Sequence, residues 1–243
     1  MSKSLSNDSF VPLYHQLKEI IKEEIESGKW NYGDKIPSES VFTKEYNISR
    51  NTVQRAIEDL VHEGMLYREQ GKGTFVSRPK YEQPLTKFYS FSKVMKELGM
   101  NPFDIIVSIE EKKVKKSVAK VLELDTDEMV LELVRVRCAN EEPLIFETTY
   151  LPKKIVPTLK KEDIEKSSLF DHMRDKYDIV VSSSKEIFEP VLIREYESKY
   201  LQVKTGYPAL LLDRIDYDNN KRPIGFLRSI IRGDRSRFYT ELL

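Results

Sequence analysis

Two arginines with a single valine between them, Arg135 and Arg137 in "LELVRVRCANEEPLIFETTYLP", have a type and spacing that suggest chemistry. On a strand, residues i and i+2 share a face. Leu131, Leu133, Arg135 and Arg137 therefore line one side of this segment, and Val134, Val136 and Cys138 line the other. Both sides are partly apolar, so the guanidiniums point into something enclosed. Planar guanidiniums held side by side form a clamp for a phosphate or carboxylate. Glu147, on the following strand, could accept hydrogen bonds from a ligand's hydroxyl or amine groups. The same spacing also permits ion pairs from Arg135 or Arg137 to Glu147 across neighbouring strands, worth about 0.2–1 kcal/mol each. Both readings stand on spacing alone.

A second polar group opens a helix. In "SRNTVQRAIEDLVHEG" the residues Arg50, Asn51, Thr52, Gln54 and Arg55 lie outward, while Val53, Ala56 and Ile57 face inward. Arginine can bridge guanine and glutamine can bridge adenine, each good two-pronged contact giving about 1–3 kcal/mol of discrimination. Downstream, Lys72 sits between Gly71 and Gly73, which let a turn approach a phosphate backbone closely. A plain helical domain with a solvated hairpin is the competing reading. Other motifs promise little. His15, His62 and His172 have no metal-ligand spacing, "GKGT" lacks the glycine spacing of a phosphate loop, and no Ser-His-Asp or Cys-His set stands out. The expectation is a protein without metal, cofactor or catalytic residues; an enzyme on the second half, tethered by the first, is the alternative.

These side chains need scaffolds. Leu13, Leu17, Ile20, Ile21 and Ile25 recur at helical spacing and Gly28 ends that run. Ser38 is read as the N-cap of a short helix to about Tyr46, and Ser49 as the cap of a longer one ending at Gly64, with Val41, Phe42, Val53, Ala56, Ile57, Leu60 and Val61 as facing apolar stripes. Two helices around the short break "NIS" form a helix-turn-helix, and "MLYREQGKGTFV" adds a hairpin. Residues 77–89, with Pro79 and Pro84 among polar residues, read as a linker between a winged helix-turn-helix domain (1–76) and a second domain (90–243). The second domain alternates six strand-like runs with helical stretches near 91–98, 116–123, 168–176 and 193–201. Turns such as "NEEP" and "DNNKRP" make its sheet mostly antiparallel, so the fold class is α+β in two domains.

Composition sets the outer limits. The 243 residues carry 40 Lys or Arg and 40 Asp or Glu, so any nucleic-acid surface depends on where charges sit. The single cysteine excludes an internal disulfide, and no apolar run resembles a signal peptide or a membrane span of roughly 20 residues. A cytoplasmic protein is expected.

The stretch "KIPSESVFTKEYNISRNTVQRAIEDLVHEGMLYREQGKGTFV" resembles the DNA-binding domain of GntR-family bacterial regulators over about residues 10–77. By that resemblance Arg50, Thr52, Lys72 and Gly73 contact DNA and Ser38 binds a phosphate. Ser40 and Gln54 stand where many members have arginine. Residues from about 85 to 240 resemble the UTRA effector-binding domain of the HutC subfamily, a chorismate-lyase-like fold, through "FYSFSKVMKELGM", "SSLFDHM", "FEPV" and "IRGDRSRF". That resemblance implies an anion site at Ser90, Phe91, Ser92, Arg135, Arg137, Ser168 and Phe170, with Glu147 accepting from polar groups. Phe170 and Ile231 replace a tyrosine and an aromatic of the N-acetylglucosamine-utilisation type. The resemblance implies a homodimer, a repressor in most members, that reads a palindromic operator in double-stranded DNA. It would respond to a phosphorylated sugar or small carboxylate, and a small molecule and DNA, not a membrane, are its partners.

Overall fold

The computed structural model describes residues 5, 6, 9–85, 91–166 and 168–241. Contacts divide the chain into two units: Met1–Tyr81 with Gly233–Arg237, and Glu82–Arg232 with Phe238–Leu243. Among the described residues no helix is long and apolar enough to cross a membrane.

The first unit contains α1 (Leu13–Glu26), α2 (Glu39–Tyr46) and α3 (Arg50–His62), then a hairpin of β1 (Leu66–Glu69) and β2 (Gly73–Val76). Asn47 ends α2 in the left-handed region at φ 50°. Three residues later α3 begins where the Ser49 hydroxyl accepts the Thr52 amide at 3.2 Å, satisfying a donor that the first helical turn leaves open. Ser38 occupies the corresponding position before α2, but its hydroxyl bonds Ser40 Oγ at 2.9 Å and caps no amide. Leu17, Ile21, Phe42, Val53, Ala56, Ile57 and Leu60 close the core, joined by Ile36, Leu66 and Val76. Val41, read as part of the stripe, is instead exposed; it lies one residue round from Phe42, and an eight-residue helix buries only that ring. Gly71 at φ +75° and Gly73 at φ +131° carry the hairpin turn in conformations that side-chain-bearing residues avoid.

Gly233–Arg237 packs within this unit. Lys80 donates to the Gly233 carbonyl at 2.9 Å, Arg235 to the Arg78 carbonyl at 2.9 Å, and the hydroxyls of Ser236 and Tyr81 lie 2.6 Å apart. At Gly64, with φ +75°, any Cβ would collide with the Asp234 backbone, so only glycine fits. β3 (Tyr81–Pro84) falls inside the stretch read as a linker and pairs with β10 (Ser236–Tyr239). Two prolines hide that strand from pattern reading, and its partner lies far along the chain.

The second unit is a six-stranded sheet of β4 (Pro102–Lys113), β5 (Met129–Ala139), β6 (Glu142–Pro152), β7 (Ser183–Leu192), β8 (Pro208–Tyr217) and β9 (Pro223–Arg232), in the order β4-β5-β6-β9-β8-β7. Every neighbouring pair is antiparallel. Helices α4 (Phe91–Glu97), α5 (Lys116–Leu122), α6 (Lys161–Lys166), α7 (Leu169–Tyr177) and α8 (Glu195–Leu201) complete it. All but α6 coincide with stretches read as helical; "KEDIEK" is too short and polar to show a period, with Ile164 its buried anchor. On one face Leu131, Leu133 and Leu151 pack with Leu169 and Met173, and on the other Val134, Val136 and Phe146 pack with Ile193 and Leu201. Covered on both sides, β5 is buried from Val130 to Ala139.

Candidate functional site

Two sets of polar side chains stand out, one in each unit. In the first, α3 presents Arg50, Asn51 and Arg55 to solvent and keeps Thr52 and Gln54 half-buried. The Thr52 hydroxyl lies 2.8 Å from Ser49 Oγ, within the cap. Arg55 lies over the Tyr14 ring of α1, 3.8 Å from its centroid, so part of its guanidinium packs against the scaffold. Glu39, the first residue of α2, gathers three of the polar side chains. It accepts from Gln54 Nε2 at 3.1 Å, Arg50 Nε at 3.4 Å and Arg68 Nη2 at 3.5 Å. The hairpin tip places Lys72 in solvent, paired with Glu69 at 3.0 Å. Beside it Lys35 joins Phe75 in a β-bridge and lies so close to Gly73 that a Cβ there would meet its side chain at 2.6 Å. The sequence reading missed Glu39, Arg68 and Lys35, which reach this surface only through the pairing of distant segments.

In the second unit, the face covered by α6 and α7 carries a row of ionisable side chains. Arg135, 1% exposed, donates through Nε to Glu147 Oε1 at 2.8 Å and through Nη2 to the same oxygen, while its Nη1 donates to Asp104 Oδ2 at 2.9 Å. Arg137 donates to Asp104 Oδ1 at 3.2 Å, approaches Ser92 Oγ at 3.5 Å and Glu147 Oε2 at 3.8 Å, and lies over the Phe91 ring at 4.7 Å. Thr149 and Ser229 each donate to Glu147 at 3.2 Å. Burial would raise the Glu147 carboxyl; the charges of Arg135 and Arg137, with hydrogen bonds from Arg135 and Ser229, outweigh it and hold the group at about 2. The ion pair and the clamp, left as alternatives by spacing, thus involve the same residues: the arginines converge, and carboxylates of the chain itself fill the fork between them.

Further along the row, Arg214 on β8 donates to Asp216 Oδ1 at 2.6 Å and lies over the Phe170 ring at 5.5 Å. Burial pushes the Asp216 carboxyl up despite that neighbour, and does the same to Glu186. Arg137, Glu147, Phe170, Arg214 and Ser229 share an enclosed cavity of about 20 Å³, the space of a single water. A wider cleft of about 760 Å³ is lined by Ser92, Lys93, Lys96, Asp104, Ser168 and Asp171. Ser168 caps α7 there, accepting the Asp171 amide at 3.2 Å. The structure therefore brings together Phe91, Ser92, Arg135, Arg137 and Glu147; Ser168 shares the cleft with Ser92, and Phe170 the cavity with Arg137. Ser90 lies outside the described residues. Asp104 and Arg214 were not foreseen. Cys138 is buried on the opposite face, its thiol pushed up to about 11 by burial and the Asp104 charge.

A helix-turn-helix with a β-hairpin wing, joined to an antiparallel sheet that buries a charged site, defines a two-unit α+β protein of the winged helix-turn-helix class. Comparison with known proteins narrows this. Residues 13–76 match the model for bacterial regulatory proteins of the gntR family, and residues 97–237 match the UTRA domain. Over 235 residues the chain is 33% identical to the HTH-type transcriptional repressor NagR of Bacillus subtilis, covering 97% of this chain and 96% of that protein. It is 28% identical over 224 residues to the probable fructoselysine utilization operon transcriptional repressor of Escherichia coli, covering 92% and 91%. The crystal structure of PhnF from Mycobacterium smegmatis superposes with a TM-score of 0.64 at 26% identity, covering 96% of this chain and 99% of that one. The chain belongs to the gntR family of DNA-binding transcription regulators and carries a UTRA domain.

Proposed function

We propose that the protein is a repressor that binds a palindromic operator as a homodimer and releases or engages it in response to a small anionic metabolite, a sugar phosphate ahead of a carboxylate. The observation that carries the DNA reading is the surface formed by Arg50, Asn51, Gln54 and Lys72, whose polar groups face water or sit loosely on Glu39 while the apolar half of α3 is buried. Helix starts of this kind read base edges in the major groove while wings contact the backbone. Relatives described as repressors, one of them the probable fructoselysine utilization operon repressor, support the sign of regulation and a sugar-bearing ligand. The paired arginines with Ser92, Lys93 and Lys96 beside them suit an anion, and Glu147, Ser229 and Arg214 suit hydroxyl groups. A ligand moves the DNA equilibrium only if it binds two arrangements of the protein with different affinity.

Gel-shift titration with DNA from upstream of the gene tests the reader. Arg50→Ala should lower operator affinity by about 10- to 100-fold, the equivalent of one two-pronged base contact; unchanged affinity removes Arg50 from the interface. Titrating glucose 6-phosphate, glucosamine 6-phosphate and citrate into the protein–operator complex tests the effector, and an operator affinity indifferent to all three counts against a sugar phosphate or carboxylate.

A further inference from the structure

Asp104 stands opposite Arg137 on the edge strand β4, and its two carboxylate oxygens divide between the two arginines, Oδ2 to Arg135 at 2.9 Å and Oδ1 to Arg137 at 3.2 Å. A bridging carboxylate offers paired acceptor oxygens to two guanidiniums, the arrangement that a phosphate or carboxylate ligand would present. Two carboxylates, Asp104 and Glu147, already face the two guanidiniums. A ligand anion that took both arginines would need donor positions that these carboxylates already fill, and Arg135 itself is almost wholly withdrawn from water. For that exchange one carboxylate has to give up its place. Glu147 is the poorer candidate, because Thr149, Ser229 and Arg135 all donate to it and its side chain is 5% exposed. Among the described residues Asp104 is held by the two arginines alone, is 17% exposed, lies on a strand paired on one side, and lines the open cleft with Ser92, Lys93 and Lys96. The strand also has a register break between Ile106 and Ser108, next to it.

We infer that Asp104 is an internal counterion that occupies the effector's anion position, and that the ligand's phosphate or carboxylate replaces it between Arg135 and Arg137. The inference rests on the anion-binding reading of the second unit given above. Asp104 then sets the threshold of the site: weakly held anions lose the exchange, and only a ligand whose remaining groups bind elsewhere in the pocket wins it.

The experiment is isothermal titration of the full-length protein, wild type and Asp104→Asn, with inorganic phosphate, glucose 6-phosphate and citrate, alongside thermal melts without ligand. Asp104→Asn should melt earlier, since Arg135 and Arg137 lose a counterion, and should bind inorganic phosphate at least tenfold more tightly than wild type. Asp104→Glu, which keeps the charge, should show no such gain. Asp104→Ser provides the same comparison if the asparagine variant does not fold. Equal phosphate affinity in wild type and the neutral variants overturns the exchange and leaves the anion site standing. Weaker affinity in the neutral variants overturns it too, making Asp104 a ligand contact. If neither wild type nor any neutral variant binds any of the three anions, the anion-site reading falls and takes this inference with it.

Discussion

The charged clusters of the two units are built from the same residue types and behave oppositely. Around Glu39 the partners sit at 3.1–3.5 Å, and Arg50 is 76% exposed. Around Glu147 and Asp104 the arginines are almost wholly buried, and Arg135 bonds Glu147 through Nε at 2.8 Å and Asp104 at 2.9 Å. An exposed pair contributes about 0–1 kcal/mol, so its members exchange one another for a base edge or phosphate at little cost. A buried pair broken on one side leaves a charge without water or partner, at a cost of about 3–5 kcal/mol. On the proposed reading, the surface around Glu39 can hold its polar groups loosely in place and still release them, whereas the buried cluster would have to trade one anion for another.

The largest test of that contrast is Glu147→Gln. It removes the partner that most closely neutralises Arg135, and urea unfolding should show a loss of about 3–5 kcal/mol; a loss below 1 kcal/mol would place the two clusters in the same class. The same carboxyl gives a pH signature. Its folded value of about 2 lies below the ordinary 4.5, so its contribution to stability is complete above that ordinary value and disappears as pH falls through the folded one. Wild type should lose stability relative to Glu147→Gln between these limits, as acid melts of both proteins will read. On the DNA side, Lys72→Ala should weaken binding to all sequences alike and reduce the slope of log affinity against log salt by about 1, with the melting temperature unchanged. The smallest effect belongs to Glu39→Ala: stability should move by no more than about 1 kcal/mol. If Arg50 and Gln54 read bases as proposed, base preference at their positions should broaden, as selection from a randomised operator pool would show.

Sequence made part of this contrast legible. Ser49 before a run with Val53, Ala56 and Ile57 inward announces α3 and its outward polar side, because capping and helical period act over neighbouring residues. The hairpin of β5 and β6 is equally local, and its register sets Arg135 opposite Glu147. Asp104 was hidden because β4 reaches β5 only across α5, and nothing near residue 104 says which residue it will face. Arg214 arrives by a crossover in which β9 lies between β6 and β8. Glu39 went unremarked beside the Ser38 cap, since its meeting with Arg68 depends on how the wing folds back. Charge identity is visible in a sequence; charge neutralisation belongs to the tertiary pairing.

The five residues Gly233–Arg237 carry a practical consequence. Because they close over Gly64 and bond to Arg78, Lys80 and Tyr81, the amino-terminal unit is not a contiguous stretch of sequence. A fragment that stops at residue 76 keeps Gly64 but lacks Arg78, Lys80, Tyr81 and the segment that packs over it, and a chain stopped near residue 232 would lose that segment too. Nonsense lesions at codons 233–235 should thus weaken operator binding while strands β4 to β9 remain encoded.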